Sequence, residues 1–201
     1  AKFATDIVLL MQTEVAEVTE PHQPGRGSSS TMPQKRNPIA SEYILAAVRG
    51  VQTLAPAMVQ AMAQDQERAT GPWQAEQLVL PQVFLLIAGA LDHAIAIAEG
   101  MTVDVARMRR NLDSTGGLIM AEAVMMGLAP AIGRQAAHDV LEHACARAIA
   151  QRRTLVEVLA DEPGLQGRID AEALARMTDP AAYLGDCAAV VDRVLKRAGI
   201  G

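Results

Sequence analysis

Apolar residues at Ile7, Leu10, Met11, Val15 and Val18 recur with a helical period, so the spacing predicts a helix over 6–18. Two prolines and two glycines within 21–27 end it. Residues 28–37 are polar and basic and read as an exposed loop, and Pro38 suits the first turn of a helix expected from 39 to about 64, with a bend at Pro56. After a polar stretch over 65–71, Pro72 opens a long helical run to about 100, expected to be interrupted at Pro81. Within that run, 83–97 is apolar nearly all round, the pattern of a helix in the middle of a bundle. Thr102 is the expected cap of a short helix over 103–111. Ser114-Thr115-Gly116-Gly117 marks the expected boundary between a helical-bundle domain over 1–113 and a smaller helical domain over 114–201. The second domain is expected to hold helices over 118–128, 133–152, 171–177 and 185–198, with turns at Glu162-Pro163-Gly164 and Asp179-Pro180. No stretch alternates apolar and polar residues long enough for a strand. The expected fold class is all-α: a long-helix bundle followed by a smaller helical domain.

Composition agrees with packed helices. Half of the residues are apolar, only 2% are aromatic, and ten are methionine, so the core is built from Ala, Leu, Val, Ile and Met. A net charge of −5 argues against nucleic acid or an anionic membrane as partner. The longest apolar run, 83–91, ends at Asp92-His93 and is read as too short to span a bilayer. The opening residues lack the pattern of a secretion signal, and Cys145 and Cys187 form no metal or redox motif, so a reducing cytoplasm is expected. The sequence has no initiator Met and opens inside a helical pattern, as a piece of a longer chain would.

The chemistry concentrates in Gly27-Ser28-Ser29-Ser30-Thr31-Met32-Pro33-Gln34-Lys35-Arg36-Asn37-Pro38. Small residues let backbone approach a ligand, and consecutive amides in such a loop form a concave anion site. The helix expected to begin near Pro38 adds partial positive charge at its N-terminus, and Lys35 and Arg36 add full charges. Together these fit a substrate bearing carboxylates; a flexible linker with incidental hydroxyls is the bland alternative.

This segment resembles the signature loop of the fumarase/aspartase superfamily, G-S-S-x-M-P-x-K-x-N-P. Every fixed position fits but one: Ser28 stands where the glycine falls, with Gly27 preceding it. The resemblance implies that the loop closes over the substrate and that Ser29 removes a proton from carbon. A serine hydroxyl needs help to act as a base, and Lys35 with the loop amides would stabilise its alkoxide. It also implies that Lys35 and Asn37 hold the carboxylate beside the deprotonated carbon, whose charge grows as a dianionic aci-carboxylate forms. Ser30 supports the loop or hydrogen-bonds substrate, with Thr31 and Met32 beside it among the expected substrate contacts. No metal or organic cofactor is called for.

Within the superfamily, the run Glu67-Arg68-Ala69-Thr70-Gly71-Pro72-Trp73-Gln74-Ala75-Glu76 is similar to bacterial 3-carboxy-cis,cis-muconate cycloisomerases, as are the opening residues 6–15 and the tail 118–149. Adenylosuccinate lyases carry a histidine where Gln66 stands and serines after it, to help bind a nucleotide phosphate; no serine follows here. Arg68 has two readings, an ion pair with Glu67 or a helix neighbour, or contact with a substrate carboxylate. Trp73 reads as a core or interface anchor. His22 lies near the signature; His93, His138 and His143 read as surface or packing residues, and His138 with Glu142 is an ordinary helical pair. The implied reaction is intramolecular: a carboxylate of a small tricarboxylate adds to a double bond, giving a lactone. The implied assembly is a homotetramer with active sites shared between chains, and this stretch alone is expected to be inactive. The rivals are adenylosuccinate lyase or another β-eliminating lyase, and a non-catalytic helical assembly protein that keeps the loop as a relic.

Overall fold

The computed structural model describes residues 1–21, 32 and 35–200. Among the described residues the regular structure is helical apart from two two-residue strands, as expected, and the chain divides into two compact units, Ala1–Met108 and Arg109–Gly201.

The first unit is built on two long helices, α2 (Ile39–Gln60) and α3 (Pro72–Gly100), with α1 (Lys2–Leu10) packed against α2. Tyr43 stacks on His93 with ring centroids 5.6 Å apart, and Gly50 lies against Leu86, so α2 and α3 run antiparallel. Ala4, Ile7, Val18, Ile44 and Ile97 form the buried core. The helix expected over 6–18 is instead α1, ending at Leu10. The Glu14 and Val15 carbonyls accept from the Arg107 guanidinium, and Ala16 takes a left-handed φ of 50°. Val18 then leaves the helical period to pair with Val103, so that β1 (Val18–Thr19) and β2 (Thr102–Val103) form a two-residue antiparallel ladder. That ladder also displaces the expected cap: the helix after it is α4 (Val105–Asp113), and the Asp104 carboxylate, not Thr102, accepts from the Arg107 amide at 2.8 Å.

Pro81 does not interrupt α3. A proline removes one helical hydrogen bond, here the one to the Gln77 carbonyl. Gln82 Nε2 donates to the neighbouring Leu78 carbonyl at 2.7 Å, which keeps polar partners at that turn. At its start, the Gly71 amide donates to the Gln74 side chain at 2.7 Å. Because α3 continues past Asp92-His93, it is long and apolar enough by length and composition to cross a bilayer, contrary to the reading of 83–91 alone. Asp92 in the body of such a span would cost about 2.5–3.5 kcal/mol.

The second unit packs α5 (Ala121–Ile132), α6 (Arg134–Gln151), α7 (Leu155–Ala160) and α8 (Ala171–Thr178) around Val124, Leu128, Leu141, Ala144, Leu155, Val158, Leu159 and Leu174. The helix expected from 118 begins as a 3-10 turn, Leu118–Met120. Helix α7 is one the apolar period does not mark, although Thr154 and Glu157 have capping-box spacing and form both bonds of the box. Helix α9 (Cys187–Ala198) carries no buried residue.

Candidate functional site

Of the residues assigned to the site, Met32, Lys35, Asn37 and Arg68 are described; Ser29, Ser30 and Thr31, with His22, lie outside the described residues. Met32 and Lys35 are exposed, and the Lys35 amide donates to the Met32 carbonyl at 3.0 Å. Neither Lys35 nor Arg36 is in an ion pair with a described residue. Asn37, half-buried, is tied to the start of α2: its carbonyl accepts from the Ile39 amide at 2.9 Å, and the next carbonyl, of Pro38, accepts from Glu42 at 2.9 Å.

The first turn of α2 has an occupant the sequence reading did not foresee. One Glu20 carboxylate oxygen accepts from the Ala40 amide at 3.0 Å, and the other from the Ser41 amide at 2.8 Å and the Ser41 hydroxyl at 2.7 Å. Ser41 is fully buried, and Glu20 supplies the acceptor its hydroxyl requires. With Ile39 and Glu42 bonded to Asn37 and Pro38, the first-turn amides all have partners. The expectation that this helix end supplies partial positive charge to a substrate is therefore corrected: an internal carboxylate already takes it. Among the described residues of 32–42, the cationic side chains are those of Lys35 and Arg36.

Arg68 belongs to a second cluster. The segment between α2 and α3 is held by Gln64, whose side chain donates to the Ala61 carbonyl and accepts from the Ala69 amide at 2.7 Å. Gln66 takes a left-handed φ of 52° there. Residues 65–70 line an open hollow of about 700 Å³. The Arg68 guanidinium lies 4.6 Å from the Trp73 ring centroid, a cation–π contact rather than an ion pair with Glu67. Trp73, 38% exposed, is thus a platform for Arg68 and not a core anchor. This cluster follows the C-terminal end of α2, whereas Lys35 and Asn37 precede its N-terminal end. A rise of 1.5 Å per residue puts the length of α2 between them, on the order of 30 Å. One chain does not bring Arg68 to Lys35 and Asn37.

Among the described residues no group of His, Cys, Asp and Glu is placed to hold a metal ion. His143 Nδ1 meets the Asp139 carbonyl at 2.7 Å and His138 lies beside Asp139, ordinary helix-surface contacts.

Residues 1–53 match the family described as "Lyase", and residues 117–194 match "Adenylosuccinate lyase C-terminus". The chain belongs to the fumarase/aspartase superfamily. Among individual proteins, it is 49% identical over 194 residues to a 3-carboxy-cis,cis-muconate cycloisomerase of Pseudomonas aeruginosa, covering 96% of this chain and 42% of the relative. It is 46% identical over 197 residues to trans-aconitate decarboxylase 1 of Mycosarcoma maydis, covering 98% of this chain and 40% of that one. The crystal structure of the 3-carboxy-cis,cis-muconate lactonizing enzyme from Pseudomonas putida superposes with a TM-score of 0.86 at 50% identity, over 97% of this chain and 44% of that one. The chain thus spans less than half the length of these relatives.

Proposed function

We propose that this chain is part of a 3-carboxy-cis,cis-muconate cycloisomerase that needs neither metal nor cofactor. The carrying observation is the 49% identity with such an enzyme across 96% of the chain, beside this chain's own Ser29-to-Pro38 signature. In the lactonizing direction a substrate carboxylate adds to a double bond and the neighbouring carbon is protonated, giving 4-carboxymuconolactone. In reverse, Ser29 takes that carbon's proton and a carboxylate oxygen leaves. A carboxylate is a good leaving group, so the protein's task is orientation and stabilisation of the aci-carboxylate by Lys35 and Asn37, with Ser30, Thr31 and Met32 beside it. The class of reaction belongs to the breakdown of aromatic acids, in the cytoplasm.

Active sites shared between copies of a homotetramer follow from the same reading. The separation of Arg68 from Lys35 and Asn37 along α2 supports it, because a small tricarboxylate cannot touch both clusters of one chain. The exposed apolar side chains of α3, Phe84, Leu85 and Leu91 among them, support a protein-covered face, and Asp92 on the same helix disfavours lipid.

The test is turnover by the complete protein, upstream half included, of carboxymuconate, adenylosuccinate and trans-aconitate in parallel. Carboxymuconate is expected to be the substrate. Gln66 and the missing serines weigh against adenylosuccinate despite the wording of the family match over 117–194. Ser29→Ala is expected to lose several orders of magnitude in turnover with the oligomer intact; an unchanged rate removes Ser29 from the mechanism and favours the assembly-protein reading. The 201-residue chain alone is expected to be inactive, or active only with the rest of the protein present, and turnover of carboxymuconate by it would contradict that.

A further inference from the structure

We propose that Glu20 is a positioning residue for this reaction: its carboxylate fixes the first turn of α2, and through it the Asn37 and Lys35 groups that meet the substrate. The proposal rests on the cycloisomerase reading and adds to it a residue outside the signature.

Glu20 is itself held on both sides. Val18 and Thr19 before it are in the ladder with Val103 and Thr102. Pro21 after it packs on α3 so closely that a Cβ added to Gly100 would lie 2.9 Å from the Pro21 Cβ. From this fixed backbone the carboxylate uses both oxygens on Ala40 and Ser41, so it sets the rotation of the helix end as well as its distance. Asn37 is bound to that end through the Ile39 amide, and Lys35 lies two residues earlier. Glu20 thus ties the backbone that precedes the signature to the helix turn that follows it. A geometric error of about 1 Å in groups facing a developing charge costs on the order of 100-fold in rate.

A cap that merely stabilised α2 would lower the amount of folded enzyme independently of Asn37, whereas a positioning residue acts through Asn37. The experiment is therefore a double-mutant cycle in the complete protein with carboxymuconate: Glu20→Ala, Glu20→Gln, Asn37→Ala and the combination of Glu20→Ala with Asn37→Ala, with circular dichroism and oligomer size as controls. Glu20→Gln keeps the shape but turns an NH₂ group toward a backbone N–H, so it reports even where the alanine variant folds poorly. Each Glu20 variant is expected to lose at least tenfold in kcat/KM, and the double variant to be within threefold of Asn37→Ala alone. Multiplying losses, or a Glu20→Gln enzyme within threefold of the parent, overturns the proposal. A parent enzyme inactive on carboxymuconate instead overturns the functional reading, and this proposal with it.

Discussion

At the scale of single residues, the clearest energetic statements come from the second unit. Thr154 donates its backbone N–H to the Glu157 carboxylate at 2.9 Å, and this bond, followed by that of the Thr154 hydroxyl, holds the Glu157 carboxyl below its usual range. A lowered folded-state value means stabilisation present above the unfolded carboxyl pKa and lost as pH falls through the folded one. Glu157→Gln is therefore expected to lower thermal stability at neutral pH, where the carboxylate's bonds count in full, to change it little in strong acid, and so to flatten part of the acid limb of the profile. Thr154→Ala is expected to cost about 1 kcal/mol in a denaturant titration. Burial pushes the Cys145 thiol up, which leaves less thiolate. Alkylation of Cys145 at pH 8 is expected to be slower in the folded protein than in urea, as peptide mass mapping would show.

At the scale of elements, the close seat of Pro21 on Gly100 has a sign that opposes propensity. Alanine within a helix is worth about 0.5–1 kcal/mol over glycine, but here its methyl would meet a rigid pyrrolidine ring at 2.9 Å. Gly100→Ala is expected to lower the melting temperature, with overpacking of about 1–3 kcal/mol deciding the balance. Elements were legible in the sequence where composition and punctuation agreed: Pro72 opens α3, and the nearly all-round apolar run over 83–97 carries it almost to its end at Gly100. They were not where a distant partner intervened. Arg107 takes the carbonyls of Glu14 and Val15, and Val103 takes Val18, so the periodic apolar residues at 11, 15 and 18 serve a turn and a ladder. The same limit hid Glu20, whose partners stand twenty residues along the chain, whereas the Ser29-to-Pro38 signature is contiguous and readable by spacing alone.

For the molecule as a whole, the apolar surface is the dominant feature. Val59 on α2 and Phe84, Leu85 and Leu91 on α3 are more than half exposed, and α9 adds Val191 and Val194. The all-round apolar pattern of 83–97 is what the proposed shared bundle would need, because a helix with no polar stripe requires neighbours on several sides. Leu85→Glu in the complete protein is expected to shift the light-scattering mass below that of the parent assembly and to abolish turnover with it. An unchanged mass would place the contacts between copies elsewhere.

Trp73 is the single tryptophan of the chain, and a guanidinium sits over its ring. Indole emission is consequently an intrinsic optical gauge of the segment between the two long helices. A polycarboxylate that draws Arg68 off the ring is expected to change the fluorescence in step with saturation, and Arg68→Lys to blunt the signal, so ligand engagement at that end becomes measurable without waiting for product.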